Sequence, residues 1–421
     1  MIDPVSRALE EILDGNRDLE GGEVSDYIPE LAKASPEWFA LSVVSVLGRT
    51  YEAGDSDVEF TAQSISKPFV YALALSDVGL EAVAERVGFE PSGEPYNAFS
   101  LEEATGRPAN PLINAGAIAV SGLVLASSPA ERIERIIRTL SAFAGRDLEM
   151  NEKVYDSEAG IGDRNRALAY LMKASGVLTV PVDEAHEAYT KQCSVMVTAK
   201  DVAVMGATLA NAGINPITGD KVVDEWVATT VLSVMSTCGM YDDSGEWMVR
   251  VGLPAKSGVG GGIVATKPAQ FGIGVFSPPI DAEGNSVKGV AALEDLSERF
   301  RLHLLAHPLE PRSPIIDARR DGDRIEMELR GELDFIAVEQ VADRVRRAAD
   351  ELGEGGMIVL DLTGVSRIRS SAEHLLALEA EDLAQRDVVL RVLDPRGVVA
   401  DDEDAQGVRL APIEESEPGS S

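Results

Sequence analysis

The sequence predicts a multidomain α/β (α+β) protein with one large domain followed by a small one. The chain has 421 residues, which is more than one hydrophobic core usually holds. Residues 307–314 contain three prolines, and the apolar patterning differs on their two sides. We therefore expect a first domain over 1–306, a linker over 307–314, a second domain over 315–412 and a disordered acidic tail over 413–421.

The first region combines helical patterns with clustered short strands. The predicted helices span 1–33, 130–143, 163–172, 198–212 and 226–235, and a further helix begins at Ser64. The predicted strands span 39–51 with a turn at Gly48, then 248–251, 262–265 and 272–276. Residues 88–118 are rich in Gly, Pro and Asn, which predicts a long structured loop.

The second region alternates strand and helix patterns. Its predicted strands span 324–329, 357–362 and 388–393, and its predicted helices span 337–349 and 370–383. This alternation is typical of a small α/β domain.

Charge and composition restrict the partners of the chain. The net charge is −33, from 71 acidic and 38 basic residues. Such a surface repels nucleic acid and anionic lipid, so neither is an expected partner. No apolar run is long enough to span a membrane, and the start lacks the pattern of a signal peptide, so we expect a cytoplasmic protein. Two cysteines do not make a disulfide framework.

The candidate for chemistry is a serine followed three residues later by a lysine. Ser64 and Lys67 lie at the start of a predicted helix, where positions i and i+3 share a face. A serine hydroxyl needs a base to become a good nucleophile, and a partly desolvated lysine is such a base. The spacing alone is a weak signal. Lys256-Ser257-Gly258, beside predicted strands, strengthens it. This element is a close variant of the Lys-Thr-Gly motif that, together with Ser-x-x-Lys, marks serine β-lactamases and penicillin-binding proteins.

Other chemistries find little support in the sequence. The four histidines form no metal-ligand pattern, and no phosphate-binding loop or dinucleotide motif is present. We therefore expect no metal and no cofactor. A cysteine–histidine amidase using Cys193 or Cys238 with His186 is conceivable, but Cys193 is expected to be a buried structural residue.

Residues 20–305 closely resemble the serine-dependent glutaminases, which have a β-lactamase-like fold with an antiparallel sheet and a helical cluster. Six motifs in the same order carry the resemblance: residues 25–32 (SDYIPELA), 63–68 (QSISKP), 110–117 (NPLINAGA), 162–165 (GDRN), 238–242 (CGMYD) and 252–259 (GLPAKSGV). The resemblance implies hydrolysis of L-glutamine to L-glutamate and ammonia, and a homodimer or homotetramer.

The resemblance also implies a role for each site residue. Ser64 would attack the side-chain amide carbon of glutamine, and Lys67 would accept its proton. Tyr241 would assist proton transfer, and the backbone N–H groups of Ser64 and Val259 would form the oxyanion hole. Further substrate-binding positions match Tyr27, Asn114, Glu158, Asn165 and Tyr189. A carboxylate such as Glu158 suits the substrate ammonium group, and amide and phenol donors suit its carboxylate.

Each of these residues also has a structural interpretation. The asparagines are residue types that cap helices or hold turns, and the tyrosines are common core or rim aromatics. Glu158 in so acidic a chain would be a solvated charge, and the role of Lys256 stays open. Two other functions remain as alternatives: a β-lactamase-like or peptidase-like serine hydrolase, and a catalytically silent regulator that binds a partner.

The second domain resembles a STAS domain, the fold of anti-sigma factor antagonists. The resemblance rests on residues 359–365 (VLDLTGV) and 368–372 (IRSSA), which open a helix. In the regulatory family a serine in an Asp-Ser-Ser-Gly turn accepts phosphate, and Ser371 would be that position. Here Arg369 replaces the aspartate and Ala372 the glycine, and Ser370 is also suited to capping the helix. We expect a regulatory or assembly module with a protein or ligand partner and without switch chemistry.

Overall fold

The computed structural model describes residues 3–93, 101–306 and 313–399. Residues up to Ala306 form one compact unit, and the residues that follow form a second. Most of the predicted linker and all of the predicted tail at 413–421 lie outside the described residues.

The first unit contains eleven helices and nine strands within its described residues. The helices are α1 Pro4–Asn16, α2 Lys67–Ala84, α3 Asn114–Leu123, α4 Pro129–Ala144, α5 Glu152–Ile161, α6 Asp163–Ala174, α7 Val182–Cys193, α8 Ala199–Ala210, α9 Glu225–Cys238, α10 Ser244–Arg250 and α11 Val287–Phe300. The strands are β1 Glu23–Val24, β2 Ala40–Ser45, β3 Thr50–Gly54, β4 Phe60–Thr61, β5 Met196–Val197, β6 Ala255–Gly258, β7 Gly262–Lys267, β8 Phe271–Phe276 and β9 Pro279–Ile280. Single turns of 3-10 helix span Leu31–Lys33, Gln63–Ser66 and Tyr241–Asp243.

The structure confirms most of the predicted elements and corrects three. The loop predicted over 88–118 ends before α3, which begins at Asn114, and residues 94–100 of it lie outside the described residues. The predicted helix over 1–33 ends at Asn16. Gly21 and Gly22, with positive φ angles of 122° and 71°, are incompatible with a helix that continues to residue 33. The predicted strand over 248–251 is wrong, since those residues belong to or follow α10. Trp247 and Val251 are buried there, and their spacing of four is the helical period.

A five-stranded antiparallel sheet forms the centre of the first unit, in the order β3-β2-β8-β7-β6. β2 and β3 make the predicted hairpin around Gly48. Strand β6 lies at the edge and pairs with β7, with Ser257 opposite Ile263. This edge contacts the Gln63–Ser66 turn and α9, so Lys256-Ser257-Gly258 lies where the sheet meets the helices.

Helices cover both faces of this sheet. On one face α1 and α11 pack against β2, β7 and β8 through a shared apolar core. On the other face α8 packs against β2, β7 and β8. A Cβ atom at Gly272 would lie 2.0 Å from the backbone nitrogen of Ala207, so the close approach of α8 to β8 requires glycine there.

The central helix of the helical cluster is α2. Residues 67–75 of α2 are buried without interruption, which is the pattern of a helix surrounded by protein. Helices α3, α4 and α9 pack around it. The buried start of α2 follows directly on the turn that carries Ser64, so the cluster fixes the position of that turn.

The second unit is a small α/β fold. Its elements are β10 Ile315–Asp321, β11 Arg324–Leu333, α12 Phe335–Leu352, β12 Met357–Ile368, α13 Ser370–Ala384 and β13 Val389–Leu393. The sheet order is β10-β11-β12-β13, with one antiparallel and two parallel pairings. The predicted strands and helices are confirmed, and β10 is an addition. Arg369 is the N-cap residue of α13, so the interpretation of Ser370 as the cap is wrong.

No helix in the described parts of the chain combines the length and the apolar character needed to cross a membrane.

Candidate active site

The site begins at the turn that carries Ser64. Gln63–Ser66 forms one turn of 3-10 helix, and the backbone N–H of Lys67 donates to the carbonyl of Ser64. Gln63, directly before the serine, has a φ of 45°, a conformation that costs a residue with a side chain on the order of 1–3 kcal/mol. The hydroxyl of Ser66 donates to the carbonyl of Gln63 at 2.7 Å. The turn is therefore a strained segment held by its surroundings.

Strand β6 approaches this turn closely at Gly258. A Cβ atom there would lie 3.1 Å from the carbonyl oxygen of Ala62 and 3.4 Å from the backbone nitrogen of Ser64. A side chain at 258 would push the strand away from the turn. Glycine thus keeps Val259, the next residue, beside Ser64.

Lys67 is buried, and its ammonium group faces polar atoms. Its Nζ donates to Oδ1 of Asn114 at 2.7 Å and lies 5.8 Å from the ring centre of Tyr189. Burial lowers the pKa of Lys67 to about 8, although the nearby Cys193 and Glu158 act in the opposite direction. At pH 7 about a tenth of Lys67 is therefore neutral and available as a base, and the neutral fraction rises as the pH approaches 8.

Asn114, Tyr189 and Asn165 form a connected network around Lys67. The hydroxyl of Tyr189 donates to Oδ1 of Asn114 at 3.0 Å, and Nδ2 of Asn114 donates to Oδ1 of Asn165 at 3.2 Å. Asn114 is the first residue of α3, but its side chain does not cap that helix. The structural interpretation of Asn114 as a helix cap is therefore wrong.

Glu158 lies inside the protein and not on its surface. It comes from α5, a helix that the sequence patterns did not indicate, and only 4 % of it is exposed. Burial raises the pKa of Glu158 to about 7, against a hydrogen bond from Gln63 and the charge of Lys67. Its Oε2 atom is buried without a hydrogen-bond partner among the described residues. A buried carboxylate of this kind is suited to a cationic group of a ligand.

These residues surround one cavity of about 90 Å³. A cavity of this volume suits a small molecule. Seven of the nine predicted site residues line it: Tyr27, Ser64, Asn114, Glu158, Asn165, Tyr189 and Val259. Tyr27 is 42 % exposed and lies at the rim. Gln63 and Arg164 also line the cavity, and the sequence patterns had not singled them out.

Tyr241 and Lys256 form a second group, outside the lining of the cavity. The hydroxyl of Tyr241 donates to the carbonyl of Ser257 at 3.2 Å. Nζ of Lys256 donates to the same carbonyl at 2.7 Å and lies 3.7 Å from the centre of the Tyr241 ring. Lys256 is completely buried, so it is not a strand-edge surface charge. Burial and then the charge of Lys67 hold the pKa of Lys256 well below its usual value.

The two cysteines do not resemble catalytic thiols. Both are buried, and burial raises the pKa of each thiol. A neutral thiol is a poor nucleophile, so the geometry gives no support to the cysteine–histidine alternative.

The comparisons with known proteins agree with this architecture. The family model described as Glutaminase matches residues 22–305, and the STAS domain model matches residues 316–414. A glutaminase of Microcystis aeruginosa is 50 % identical over 304 residues, covering 72 % of this chain and 90 % of that protein. A glutaminase of Corynebacterium efficiens is 41 % identical over 419 residues, covering 98 % of both chains.

Solved structures of the protein named Mglu are similar over most of the chain. One has 41 % sequence identity and a TM-score of 0.87, and the match covers 95 % of this chain and all of that one. A structure of Mglu in its glutamate form has 39 % identity and a TM-score of 0.87, with 94 % and 99 % covered.

An antiparallel sheet beside a helical cluster, with a buried serine and lysine at their junction, is the arrangement of the β-lactamase-like fold. Within that class, the matches assign the chain more narrowly. The chain belongs to the glutaminase family and carries a C-terminal STAS domain.

Proposed function

We propose that the chain hydrolyses L-glutamine to L-glutamate and ammonia through a γ-glutamyl ester on Ser64. The observation that carries this proposal is the single small cavity in which Ser64 and the buried carboxylate of Glu158 face the same space. The Ser64 hydroxyl attacks the amide of the substrate, and the Glu158 carboxylate binds its α-ammonium group. Family membership supports the same reaction.

The first chemical step joins Ser64 to the substrate. Lys67 in its neutral form accepts the proton of the Ser64 hydroxyl, directly or through a water, while Oγ attacks the amide carbon. The backbone N–H groups of Ser64 and Val259 stabilise the oxyanion that forms. The C–N bond then breaks, and the leaving nitrogen takes a proton to depart as ammonia.

The second step releases glutamate. Water adds to the ester carbon and its proton passes to the same base, which then returns a proton to Oγ of Ser64 as the C–Oγ bond breaks. Tyr241 assists proton transfer to the leaving nitrogen or to the hydrolytic water. The Ser257 carbonyl and the side chain of Lys256 fix the position of its ring and hydroxyl.

The charges of the α-ammonium and α-carboxylate groups of glutamine indicate which residues bind each of them. Glu158 pairs with the α-ammonium group. Asn114, Asn165 and Tyr189, which line the same cavity, turn from the hydrogen bonds they make to one another and donate to the α-carboxylate. Tyr27 closes the rim. The glutamate form of Mglu shows that a protein of the same fold binds the expected product.

An assay of ammonia release tests the function. The full chain is given glutamine, asparagine and a chromogenic β-lactam in parallel, each across a series of salt concentrations. Ammonia from glutamine is the expected result. Turnover of the β-lactam with none of glutamine would favour the hydrolase alternative, and no turnover of any substrate would favour the silent regulator.

Replacing Glu158 with glutamine should raise KM for glutamine by about 10-fold to 100-fold. The neutral amide cannot form a charge-assisted hydrogen bond with the substrate ammonium, and such bonds contribute roughly 1.5–3 kcal/mol. Steady-state kinetics at pH 8 measures the change. Glu152→Gln is the matched control, since Glu152 is exposed in the first turn of the same helix. An unchanged KM in Glu158→Gln would show that Glu158 does not bind the ammonium group.

For the second domain we propose a regulatory or assembly role, with a protein or small-molecule partner. The glutaminase of Microcystis aeruginosa aligns with this chain over 304 residues, which is 90 % of that protein and about the length of the first unit. The first domain is therefore expected to be complete without the second. A homodimer or homotetramer stays a prediction for the whole chain.

A truncated chain of residues 1–306 should fold and keep kcat/KM for glutamine within about threefold of the full chain. Its site and its apolar cores lie within those residues. Thermal unfolding and ammonia release are the measurements, and the full chain is the control. An insoluble or inactive product would refute the proposed domain boundary.

A further inference from the structure

A chain of buried hydrogen bonds lies behind the turn that carries Ser64. The hydroxyl of Ser66 donates to the carbonyl of Gln63 at 2.7 Å, and Nε2 of Gln192 donates to the hydroxyl oxygen of Ser66 at 3.3 Å. At the far end of the chain, the hydroxyl of Ser121 lies 3.1 Å from Oε1 of Gln192. Ser66, Gln192 and Ser121 are completely buried and do not line the cavity. None of the three therefore touches a molecule bound there.

Two helices hold the outer end of this chain. Gln192 comes from the last turn of α7, and α7 contacts the Gln63–Ser66 turn. Ser121 comes from α3, and its hydroxyl also lies 2.8 Å from the carbonyl oxygen of Ala117, one helical turn earlier. Helices α3 and α7 pack against each other. The chain thus ties the turn to the helical cluster through polar atoms that have no access to water.

The carbonyl that this chain holds belongs to the same peptide group as the backbone N–H of Ser64. The Gln63–Ser64 peptide bond is trans, and in a planar trans peptide the C=O and N–H bonds point in opposite directions. A contact that fixes the Gln63 carbonyl therefore also fixes the direction of the Ser64 N–H. Among the described residues, no backbone carbonyl accepts this N–H. It is available to the oxyanion of the proposed reaction.

The strain at Gln63 is the reason that this peptide group needs to be held. Its φ of 45° lies in the left-handed region, which is unfavourable for a residue with a side chain. Rotation of the backbone would relieve the strain and turn the peptide group away from its position. The hydrogen bond from Ser66 opposes this rotation. Because Gln192 donates to the oxygen of Ser66, the hydroxyl proton of Ser66 is left to bond the Gln63 carbonyl.

We propose that Ser66 and Gln192 are positioning residues for the oxyanion hole. Gln192 orients the hydroxyl of Ser66, and Ser66 orients the Gln63–Ser64 peptide group and with it the Ser64 N–H. Donors of an oxyanion hole stabilise the transition state and contribute little to binding of the ground state. This role rests on the proposed function, since an oxyanion forms there only when Ser64 attacks an amide.

Steady-state kinetics of Ser66→Ala and Gln192→Met in the full chain tests the proposal. Each variant should lower kcat for glutamine by about threefold to tenfold, part of the roughly 10²-fold to 10³-fold loss that follows removal of an oxyanion donor. The calorimetric Kd for L-glutamate should stay within about twofold of the wild-type value. The double variant should be no slower than Ser66→Ala alone, because Gln192 acts through Ser66.

Ser297→Ala is the matched control. Ser297 is buried in α11, away from the cavity, and its hydroxyl donates to the carbonyl of Val251 at 2.6 Å. Both Ser66→Ala and Ser297→Ala lose one buried hydrogen bond to a backbone carbonyl, so both should lower Tm. Only Ser66→Ala should lower kcat, which separates a positioning role from a merely structural one.

A crystal structure of Ser66→Ala gives a direct readout. The Gln63–Ser64 peptide should be rotated from its wild-type orientation or adopt two orientations. An unchanged kcat, a lower kcat with an unrotated peptide, or an equal loss of L-glutamate affinity would overturn the proposal. Losses that multiply in the double variant would overturn the action of Gln192 through Ser66. A wild type that releases no ammonia from glutamine would overturn the proposed function and this role together, whereas the other outcomes leave the proposed function standing.

Discussion

Replacing Ser64 with alanine is expected to lower kcat for glutamine by at least about three orders of magnitude. Alanine has no oxygen to form the γ-glutamyl ester, so the two-step route is closed. Ammonia release is the measurement. The affinity for L-glutamate, measured by calorimetry, should change much less, because Asn114, Glu158 and Tyr189 still line the cavity.

Ser66→Ala is the matched control for this variant. Ser66 belongs to the same turn, but its hydroxyl donates to the carbonyl of Gln63 and accepts from Gln192. Its loss should cost stability of about 1 kcal/mol and leave at least a tenth of the activity. Ammonia release by Ser64→Ala above a few per cent of the wild-type rate would reject Ser64 as the nucleophile.

Replacing Lys67 with methionine should lower kcat/KM by about 10²-fold to 10⁴-fold, the usual contribution of a general base. It should also change the pH profile. The base must be neutral, so its contribution to the rate rises with pH up to its pKa of about 8 and then levels off. Glu158 must be ionised to bind the substrate ammonium group, so the rate should show a second rise with pH, up to the Glu158 pKa of about 7. The wild-type profile should therefore be steeper below pH 7 than between 7 and 8.

In Lys67→Met one of these two rises should disappear. The remaining rise, due to Glu158, should move to higher pH, because the positive charge of Lys67 no longer favours the carboxylate. Lys256→Met is the comparison variant, since Lys256 is a second buried lysine near the site with a lowered pKa. If Lys256→Met removes the rise near pH 8 and Lys67→Met keeps it, the base is Lys256.

The fold could be predicted best where one period dominates the sequence. The 39–51 hairpin and the strands and helices of the second unit were recognised from such patterns and are confirmed. Residues 248–251 were wrongly predicted as a strand, because four residues are too few to separate a period of two from one of 3.6. Helices α5 and α7 were not recognised, although they carry Glu158 and Tyr189.

Some features of the candidate site could be predicted from the sequence, and others are seen only in the structure. Motifs and family resemblance identified the seven lining residues that were predicted, and the structure places them around one cavity. The backbone strain at Gln63 has no signature in composition, since it results from packing of the turn. The environment of Lys256 could not be predicted from the sequence either. Its burial beneath Tyr241 depends on where β6 meets the Tyr241–Asp243 turn.

The sequence by itself determined the family, the two-domain organisation that we propose and the types of residue available for chemistry. These follow from local motifs and short-range periodicity, which neighbouring residues carry. The tertiary structure decided the pKa values of Lys67 and Glu158 and the burial of Lys256 beneath the ring of Tyr241. Desolvation and charge interactions act through space between residues that are distant in the chain, so only the folded arrangement specifies them.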